Sequence, residues 1–400
     1  MSQRAPSQLS PTEVLRLRLA AQLLDAIRPR SPGEVVTWFG AMQAQDLNSG
    51  HWSFGARCDG LTDADVHAAT ENREILRTWP MRGTVHFVPP ADARWMLEVT
   101  GARALRGAAR RREFLGLSET TVDRAADVLG SALAGGRRLT RAECIAALVD
   151  GGVPEAADHG YHFLWYISQI GVTCIGPQVG KEQTFVLLDE WVPKPRQLDR
   201  DEALAELAVR FVRSHGPVTR HDLARWTGLT MTDAKAGLAA ASDVLTEVDC
   251  ATSDGPTAMW VTDDALEAAL DVDGRPGLDD PEPVVLLPGF DEYMLGYGDR
   301  SAMLDPAFNQ RICPGNNGMF KPTIVGGGTV LGTWKRTVKT STVDIDLDPF
   351  APLPSAVRGG IDAAAERYGQ FHGRDARVSL STGWPLRPHL HPAKFPQLGC

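Results

Sequence analysis

An amphipathic pattern recurs three times along the chain, each time shortly before a capped helix start. Apolar residues fall at helical spacing in residues 15–27, 122–133 and 202–214, which predicts three helices. The helix starts that follow share a Ser or Thr N-cap with an acidic residue three positions later, the pattern of a capping box. These starts are at Ser31, Thr140 and Thr219. Repetition at this scale predicts three similar modules.

Each repeated start is followed by further helices and short strands. In the third copy, a helix starts after a short turn at Thr230, and alternating strands over residues 244–248 and 258–261 flank a turn. This helix-turn-helix spacing followed by a hairpin predicts a winged helix. The first and second copies end in comparable alternating segments, over residues 78–88 and 172–188.

The pattern changes near residue 283, where short strands and many glycines predict a small β-rich domain. We therefore predict an α+β fold with three tandem winged-helix modules and this C-terminal domain. The predicted boundaries are residues 10–115 for module one, 116–197 for module two, 198–282 for module three, 283–385 for the β-rich domain and 386–400 for a tail.

Charge is unevenly distributed along the chain. The 400 residues carry a formal net charge of −9, which disfavours a nonspecific basic DNA coat. Residues 1–112, however, hold 15 arginines against 11 acidic residues, a net of +4. The densest run ends in Arg110, Arg111 and Arg112. This run indicates either a face that binds phosphate or an ordinary solvated helix face.

Other chemistry is sparse in the sequence. The six cysteines are single and lack C-x-x-C spacing, so we expect reduced thiols, no metal and no cofactor. His389 and His391, in a Pro-rich tail, are expected to be solvated. No long apolar run and no signal peptide is evident, so we expect a cytoplasmic monomer that does not bind membranes. The glycines at 326–328 predict a hairpin turn, because no phosphate-loop Lys-Ser/Thr follows.

Three segments resemble the AlkZ/YcaQ-like superfamily of winged-helix DNA glycosylases. They are Met42-Gln-Ala-Gln45, residues 77–86 and residues 287–297. The similarity runs from about residue 10 to residue 385, and it implies modules arranged around a concave DNA channel. It also implies a monofunctional glycosylase that removes bulky or crosslinked N7-alkylated purines from double-stranded DNA. Gln43-Ala44-Gln45 matches the Gln-x-Gln branch, whose members often protect antibiotic producers from their own DNA-alkylating products.

The resemblance implies that Gln43 and Gln45 are the catalytic residues. In a helix, two residues this close would point in different directions, whereas in an extended segment they lie on one side. We therefore expect an extended chain after the helix that begins at Ser31, unless both glutamines are simply solvated at a helix end. Candidate DNA-binding residues lie in two further places. One is the strand with Arg82 and His86, although a core histidine is an alternative; the other is a C-terminal segment with Asn316, Asn317, Lys321, Lys335 and Arg336.

Two functions remain open from the sequence. The first is a DNA glycosylase that acts on alkylated or crosslinked purines, which the two glutamines favour. The second is a catalytically silent winged-helix regulator, which the acidic total charge and the lack of a catalytic carboxylate allow. The carboxylates of Asp291 and Glu292 lie beside aromatic residues. We expect them to form structural hydrogen bonds that fix the β-rich domain to module three, with general acid chemistry as the alternative.

Overall fold

A computed structural model describes residues 8–25, 30–252, 255–270, 284–353 and 355–380. Helices and strands are mixed along the whole described chain, so the predicted α+β class is confirmed. Most buried apolar side chains form one continuous core, which includes residues from all four predicted domains. The tail from residue 386, with His389, His391 and Cys400, lies outside the described residues. The five described cysteines are buried free thiols.

The first part of the chain contains a helix that ends abruptly before the glutamine pair. Ser31 caps this helix through a capping box with Glu34, as predicted, and Gly40 ends it with a positive φ of 76°. The elements of this part are α1 (Pro11–Ala21), α2 (Pro32–Phe39), β1 (Met42–Gln43), α3 (Leu47–Gly55), α4 (Asp63–Glu71), β2 (Leu76–Met81), β3 (Thr84–Val88), α5 (Ala93–Thr100) and α6 (Ala102–Phe114).

The second part shares its sheet with the first. Its elements are α7 (Glu119–Leu133), β4 (Leu139–Thr140), α8 (Arg141–Asp150), α9 (Ala156–Gln169), β5 (Thr173–Val179), β6 (Glu182–Leu187) and α10 (Leu188–Trp191). β2 pairs with β5, where Arg77 lies opposite Ile175. The six strands therefore form one sheet in the order β1-β3-β2-β5-β6-β4. The sequence predicted two separate hairpins and did not indicate that they join.

The third part has the element order of a winged helix. It contains α11 (Arg200–His215), α12 (Arg220–Thr227), α13 (Met231–Ala240), β7 (Leu245–Thr252), β8 (Gly255–Thr262) and α14 (Asp263–Leu270). Gly228, in the left-handed conformation at φ 78°, makes the turn between α12 and α13. Leu9 pairs with Cys250 of β7, and α1 packs on this hairpin through Val14 and Leu17. The N-terminal helix thus packs on the third part.

The C-terminal part is a five-stranded sheet with one long helix. Its elements are β9 (Val284–Leu287), α15 (Glu292–Leu295), α16 (Asn309–Ile312), β10 (Thr323–Gly326), β11 (Thr329–Val338), β12 (Thr342–Pro349), α17 (Ser355–Phe371) and β13 (Asp375–Leu380). The strand order is β13-β12-β11-β10-β9. Trp52 of α3 packs against Tyr368 and Phe371 of α17. The domain boundaries given above stay predictions.

None of the described helices combines the length and the apolar character needed to cross a membrane.

Candidate functional site

Gln43 and Gln45 lie on an extended segment immediately after α2. Gln43 is opposite His86 in the pairing of β1 with β3, and the Ala44 N–H donates to the Val85 carbonyl at 2.8 Å. Ala44 is fully buried, whereas Gln43 is half-buried and Gln45 is exposed. Alternate residues of an extended chain share one side, so both glutamines lie opposite the buried Ala44 side chain. The predicted extended chain is confirmed.

The two glutamine amides have different hydrogen-bonding states. The Val85 N–H donates to Oε1 of Gln45 at 3.1 Å, and because only the carbonyl oxygen can accept, this contact fixes the orientation of the amide. The Gln45 NH₂ group is left to donate. The Gln43 side chain has no hydrogen-bond partner within the part of the chain that the structure describes. The Gln43 carbonyl is therefore available to accept a hydrogen bond from a bound water or substrate.

A buried carboxylate holds the Gln43 backbone in place. Oε1 of Glu292 accepts from the Gln43 N–H at 2.8 Å, and Oε2 accepts from the Trp226 indole at 2.9 Å. His215 Nε2 lies 3.4 Å from the same Oε2. Burial acts to raise the pKa of Glu292, but His215, His86 and the Trp226 hydrogen bond together hold that pKa at about 2. Glu292 is thus an ionised residue that joins the first, third and C-terminal parts of the chain.

The neighbouring Asp291 forms a second buried connection. Its two carboxylate oxygens accept from Nη1 and Nη2 of Arg57, each at 2.8 Å, and neither side chain is exposed. Ser53 also donates to Asp291, at 3.2 Å. The sequence interpretation of Asp291 and Glu292 as structural is supported by these contacts. It missed, however, that most of the contacts run to the first part of the chain, and that Glu292 lies directly behind Gln43.

His86 is fully buried and positions Arg82. Nδ1 of His86 lies 2.9 Å from the Thr84 carbonyl, so it carries the proton and donates, while Nε2 accepts from Nη2 of Arg82 at 3.2 Å. Burial, reinforced by the positive charge of Arg82, lowers the pKa of His86 to about 3. Because the side chain has no exposed surface, the structure does not support the predicted direct contact of His86 with DNA. The core-histidine alternative describes its position better.

Arg82 sits in an unusual backbone conformation at the turn between β2 and β3. Its φ is 54° and that of Gly83 is 71°, the two positive values of a tight hairpin turn that normally favours Gly or Asn. The residue is exposed, yet the dense surrounding protein desolvates the guanidinium and lowers its pKa to about 10. Its stem packs near Gly228, at the turn between α12 and α13. Arg82 stays a candidate for phosphate contact.

The arginine run occupies the exposed C-terminal half of α6. Arg110 and Arg111 are exposed, whereas Arg112 is half-buried, with its guanidinium 4.7 Å from the centre of the Tyr166 ring. The start of α6 is close to the Arg82 turn, because a Cβ added to Gly83 would lie 3.8 Å from that of Ala104. The turn that carries Arg82 is therefore adjacent to the start of α6.

The C-terminal candidates lie in an exposed loop and on a neighbouring strand. Asn316, Asn317 and Lys321 are exposed between α16 and β10, and Oδ1 of Asn317 accepts from the Met319 N–H at 2.9 Å. Lys335 is exposed on β11 and Arg336 is half-buried. These five residues stay candidates for DNA contact.

The predicted hairpin turn at residues 326–328 is present, but it faces the protein. The Gly328 carbonyl accepts from the Tyr293 hydroxyl at 2.5 Å, and a Cβ added to this glycine would lie within 3.4 Å of Leu15 and Leu19 of α1. This turn is therefore removed from the segment that we expect to approach DNA.

Acidification below pH 6.5 is expected to destabilise the protein through His86. Its folded-state pKa of about 3 lies below the ordinary 6.5, so the unfolded chain binds a proton that the folded chain rejects. Stability from this group is complete above pH 6.5 and declines as the pH falls towards 3, by up to about 1.4 kcal/mol per pH unit. Urea unfolding of His86→Gln between pH 7 and pH 5 should show a flatter pH dependence. The exposed control variant His221→Gln should keep the wild-type slope, and equal slopes in both variants would contradict the assignment.

Comparison with known proteins identifies the family of this chain. The AlkZ-like DNA glycosylase family matches residues 36–371. An "Interstrand DNA cross-link repair glycosylase" of Streptomyces sahachiroi is 28% identical over 396 residues, which cover 94% of this chain and 98% of the relative. The solved structure of Streptomyces sahachiroi DNA glycosylase AlkZ shares the fold, with a TM-score of 0.77 and 22% identity over 93% of this chain and 100% of that one. The chain belongs to the AlkZ-like DNA glycosylase family, and it is a DNA glycosylase.

Proposed function

We propose that this glycosylase excises bulky or crosslinked N7-alkylated purines by hydrolysing the N-glycosidic bond, with Gln43 and Gln45 as catalytic residues. The observation that carries the proposal is the asymmetry of the two amides. The Gln45 carbonyl is fixed by the Val85 N–H, while the Gln43 carbonyl has no partner among the described residues. The Gln43 side-chain carbonyl is held on a β-strand and accepts no hydrogen bond from the described residues. It is therefore suited to orient a water molecule.

The chemistry of the substrate allows neutral amides to suffice. Alkylation at N7 places a positive charge on the purine, so the base leaves with the electrons of the C1′–N9 bond and needs no further protonation. The sugar becomes oxocarbenium-like, and a water adds to C1′ and releases its proton to the bulk solvent. Gln43 would accept a hydrogen bond from this water, and the Gln45 NH₂ would donate to the water or the sugar. Glu292 acts as a positioning residue, because it holds the Gln43 backbone.

DNA would be held mainly through arginines outside the glutamine pair. Arg82, Arg110 and Arg111 are exposed. The guanidinium of Arg112 is held over the Tyr166 ring and would add a fourth positive charge to this set. Such contacts to phosphate fix the register of the protein on the duplex. The loop with Asn316, Asn317 and Lys321 would contact the duplex near the lesion, with Lys335 and Arg336 beyond it.

Two parts of the proposal rest on relatives. The curated relative from Streptomyces sahachiroi carries crosslink repair in its name, which supports crosslinked purines as substrates here. The Gln43-Ala44-Gln45 segment resembles the Gln-x-Gln motif of the family branch whose members often protect producers of DNA-alkylating natural products. We therefore extend the proposal to self-resistance against such a compound.

Abasic sites without strand breaks are the expected product on alkylated duplex DNA. No lysine occurs before Lys181, so the first part of the chain offers no lysine side chain to form a Schiff base with the sugar. Gel analysis should show cleavage only after heat or alkali. A covalent protein–DNA adduct trapped with borohydride would contradict the monofunctional mechanism.

Charge reversal on α6 should weaken DNA binding and leave the chemical step intact. Arg110→Glu with Arg111→Glu should make the negative slope of log K against log salt less steep, by about 0.9 for each phosphate that the variant no longer neutralises. Anisotropy titrations at several salt concentrations measure this slope. The matched control, Arg358→Glu with Arg377→Glu, reverses two exposed arginines of the C-terminal part. If both pairs leave the slope unchanged, the run on α6 is an ordinary solvated helix face.

A further inference from the structure

We propose that His51, Asp63 and His67 form a binding site for one divalent transition-metal ion of the zinc class. Nδ1 of His51 lies 2.8 Å from Oδ1 of Asp63, and Nε2 of His67 lies 3.6 Å from Oδ2 of the same carboxylate. One ligand atom from each of the three residues falls within 4.8 Å of the other two. Among the described residues, no other group of three His, Cys, Asp or Glu side chains meets that criterion.

The local sequence brings these three groups together on two adjacent helices. His51 is on α3, while Asp63 and His67 are on α4, four residues apart and therefore on one helix face. A capping box between Thr62 and Asp65 fixes the start of α4, so the position of Asp63 at the first helical residue is well defined. The spacing matches none of the usual cysteine and histidine patterns of metal sites, and only the packing of α3 on α4 reveals the group.

The donor set fits zinc chemistry. Two imidazoles and one carboxylate are three protein ligands of the kind that zinc uses when it keeps a fourth position open. Zn–N bonds of about 2.0–2.1 Å place tetrahedral ligand atoms roughly 3.4 Å apart. The His51–Asp63 pair is already inside this distance, and the His67 side chain, 45% exposed, can rotate to close the remainder.

The group borders a cavity of about 310 Å³, which His51 and His67 line together with Glu71 and Arg77. Water or a small anion from this cavity could fill the open position of the ion. In the pairing of β2 with β3, Arg77 lies opposite Phe87. The residue before Phe87 is His86, which lies opposite Gln43 in the pairing of β1 with β3. Successive strand residues point to opposite faces, so this cavity is on the other face of the sheet from Gln43. The metal site is therefore separate from the proposed catalytic pair.

Binding of an ion would fix α3 against α4. Asp46, directly after Gln45, caps α3 through the Ser49 N–H, so the glutamine segment and the metal site are connected through one short helix. An ion that binds the folded chain should raise its thermal midpoint by a few degrees at concentrations well above Kd.

Metal titration of the full chain tests the proposal. Protein stripped with a chelator is titrated with Zn²⁺ alone by calorimetry, and with Co²⁺ alone by visible absorption, with thermal melts alongside. We expect one ion per chain, the absorption bands of low-coordinate Co²⁺, and a raised midpoint. His67→Gln should weaken binding by at least about 10- to 100-fold, the loss typical even for an outer-shell partner.

The tail histidines supply the matched control. His389→Gln with His391→Gln should retain the wild-type affinity and the Co²⁺ spectrum. Asp63→Asn serves as a second ligand variant, and circular dichroism of each metal-free variant confirms that it is folded. Absence of binding in the wild type, or binding that survives His67→Gln and is lost in the tail variant, would overturn the proposal. In those cases the three residues are only a hydrogen-bonded connection between helices.

Discussion

Replacement of Gln43 by alanine is expected to lower the single-turnover rate of base release by roughly 10- to 1000-fold, the range for losing one positioned polar group. The reason is that, in the proposed mechanism, the Gln43 carbonyl, which has no partner among the described residues, accepts a hydrogen bond from the attacking water. Gln45→Ala should fall in the same range, because it removes both the donor amide and the hydrogen bond with the Val85 N–H. Rates are measured with enzyme in excess over a duplex that carries one N7-methylguanine.

Two further variants separate a chemical role from a structural one. Gln43→Glu keeps an acceptor oxygen and should retain more activity than Gln43→Ala. Gln370→Ala, an exposed glutamine on α17, is the matched control and should be as active as the wild type. DNA affinity should change little in all of these variants. Full activity in both Gln43→Ala and Gln45→Ala would move catalysis to other residues.

Loss of the Asp291 carboxylate is expected to be more destabilising than any other substitution proposed above. Asp291→Ala leaves the Arg57 guanidinium buried without its bidentate partner, and breaking such a pair typically costs about 3–5 kcal/mol. The free energy of unfolding in urea measures this cost. The control is Glu71→Ala, which breaks the bidentate but partly exposed pair with Arg138 and should cost at most about 1 kcal/mol. Equal costs for the two variants would contradict the structural role assigned to Asp291.

Local features of the fold could be predicted from the sequence because they depend on neighbouring residues. The capping boxes at Ser31, Thr140 and Thr219 form as the spacing predicts. The glycine turn at residues 326–328 joins β10 and β11, also as predicted. The extended segment at Gln43 follows from the end of α2 at Gly40. In each case a few adjacent residues determine the conformation.

Contacts between distant parts of the chain could not be predicted in the same way. Glu292 reaches the Gln43 N–H across 249 positions, and no local spacing indicates such a contact. The joining of β2 to β5 and the packing of α1 on β7 depend on which edges and faces remain uncovered after each part has folded. The burial of His86 is a similar case, since alternation shows that a strand exists but not which neighbour covers each face.

Release of a free modified base is the most direct test of the central claim. Purified protein is incubated with duplex DNA that carries N7-methylguanine or a bulky N7 adduct, and the small-molecule fraction is analysed by mass spectrometry. We predict release of the intact modified purine in the same amount as abasic sites, and strongly reduced release by Gln43→Ala. Tight binding of the same DNA with no free base from the wild type would contradict the proposed activity and favour a silent DNA-binding role.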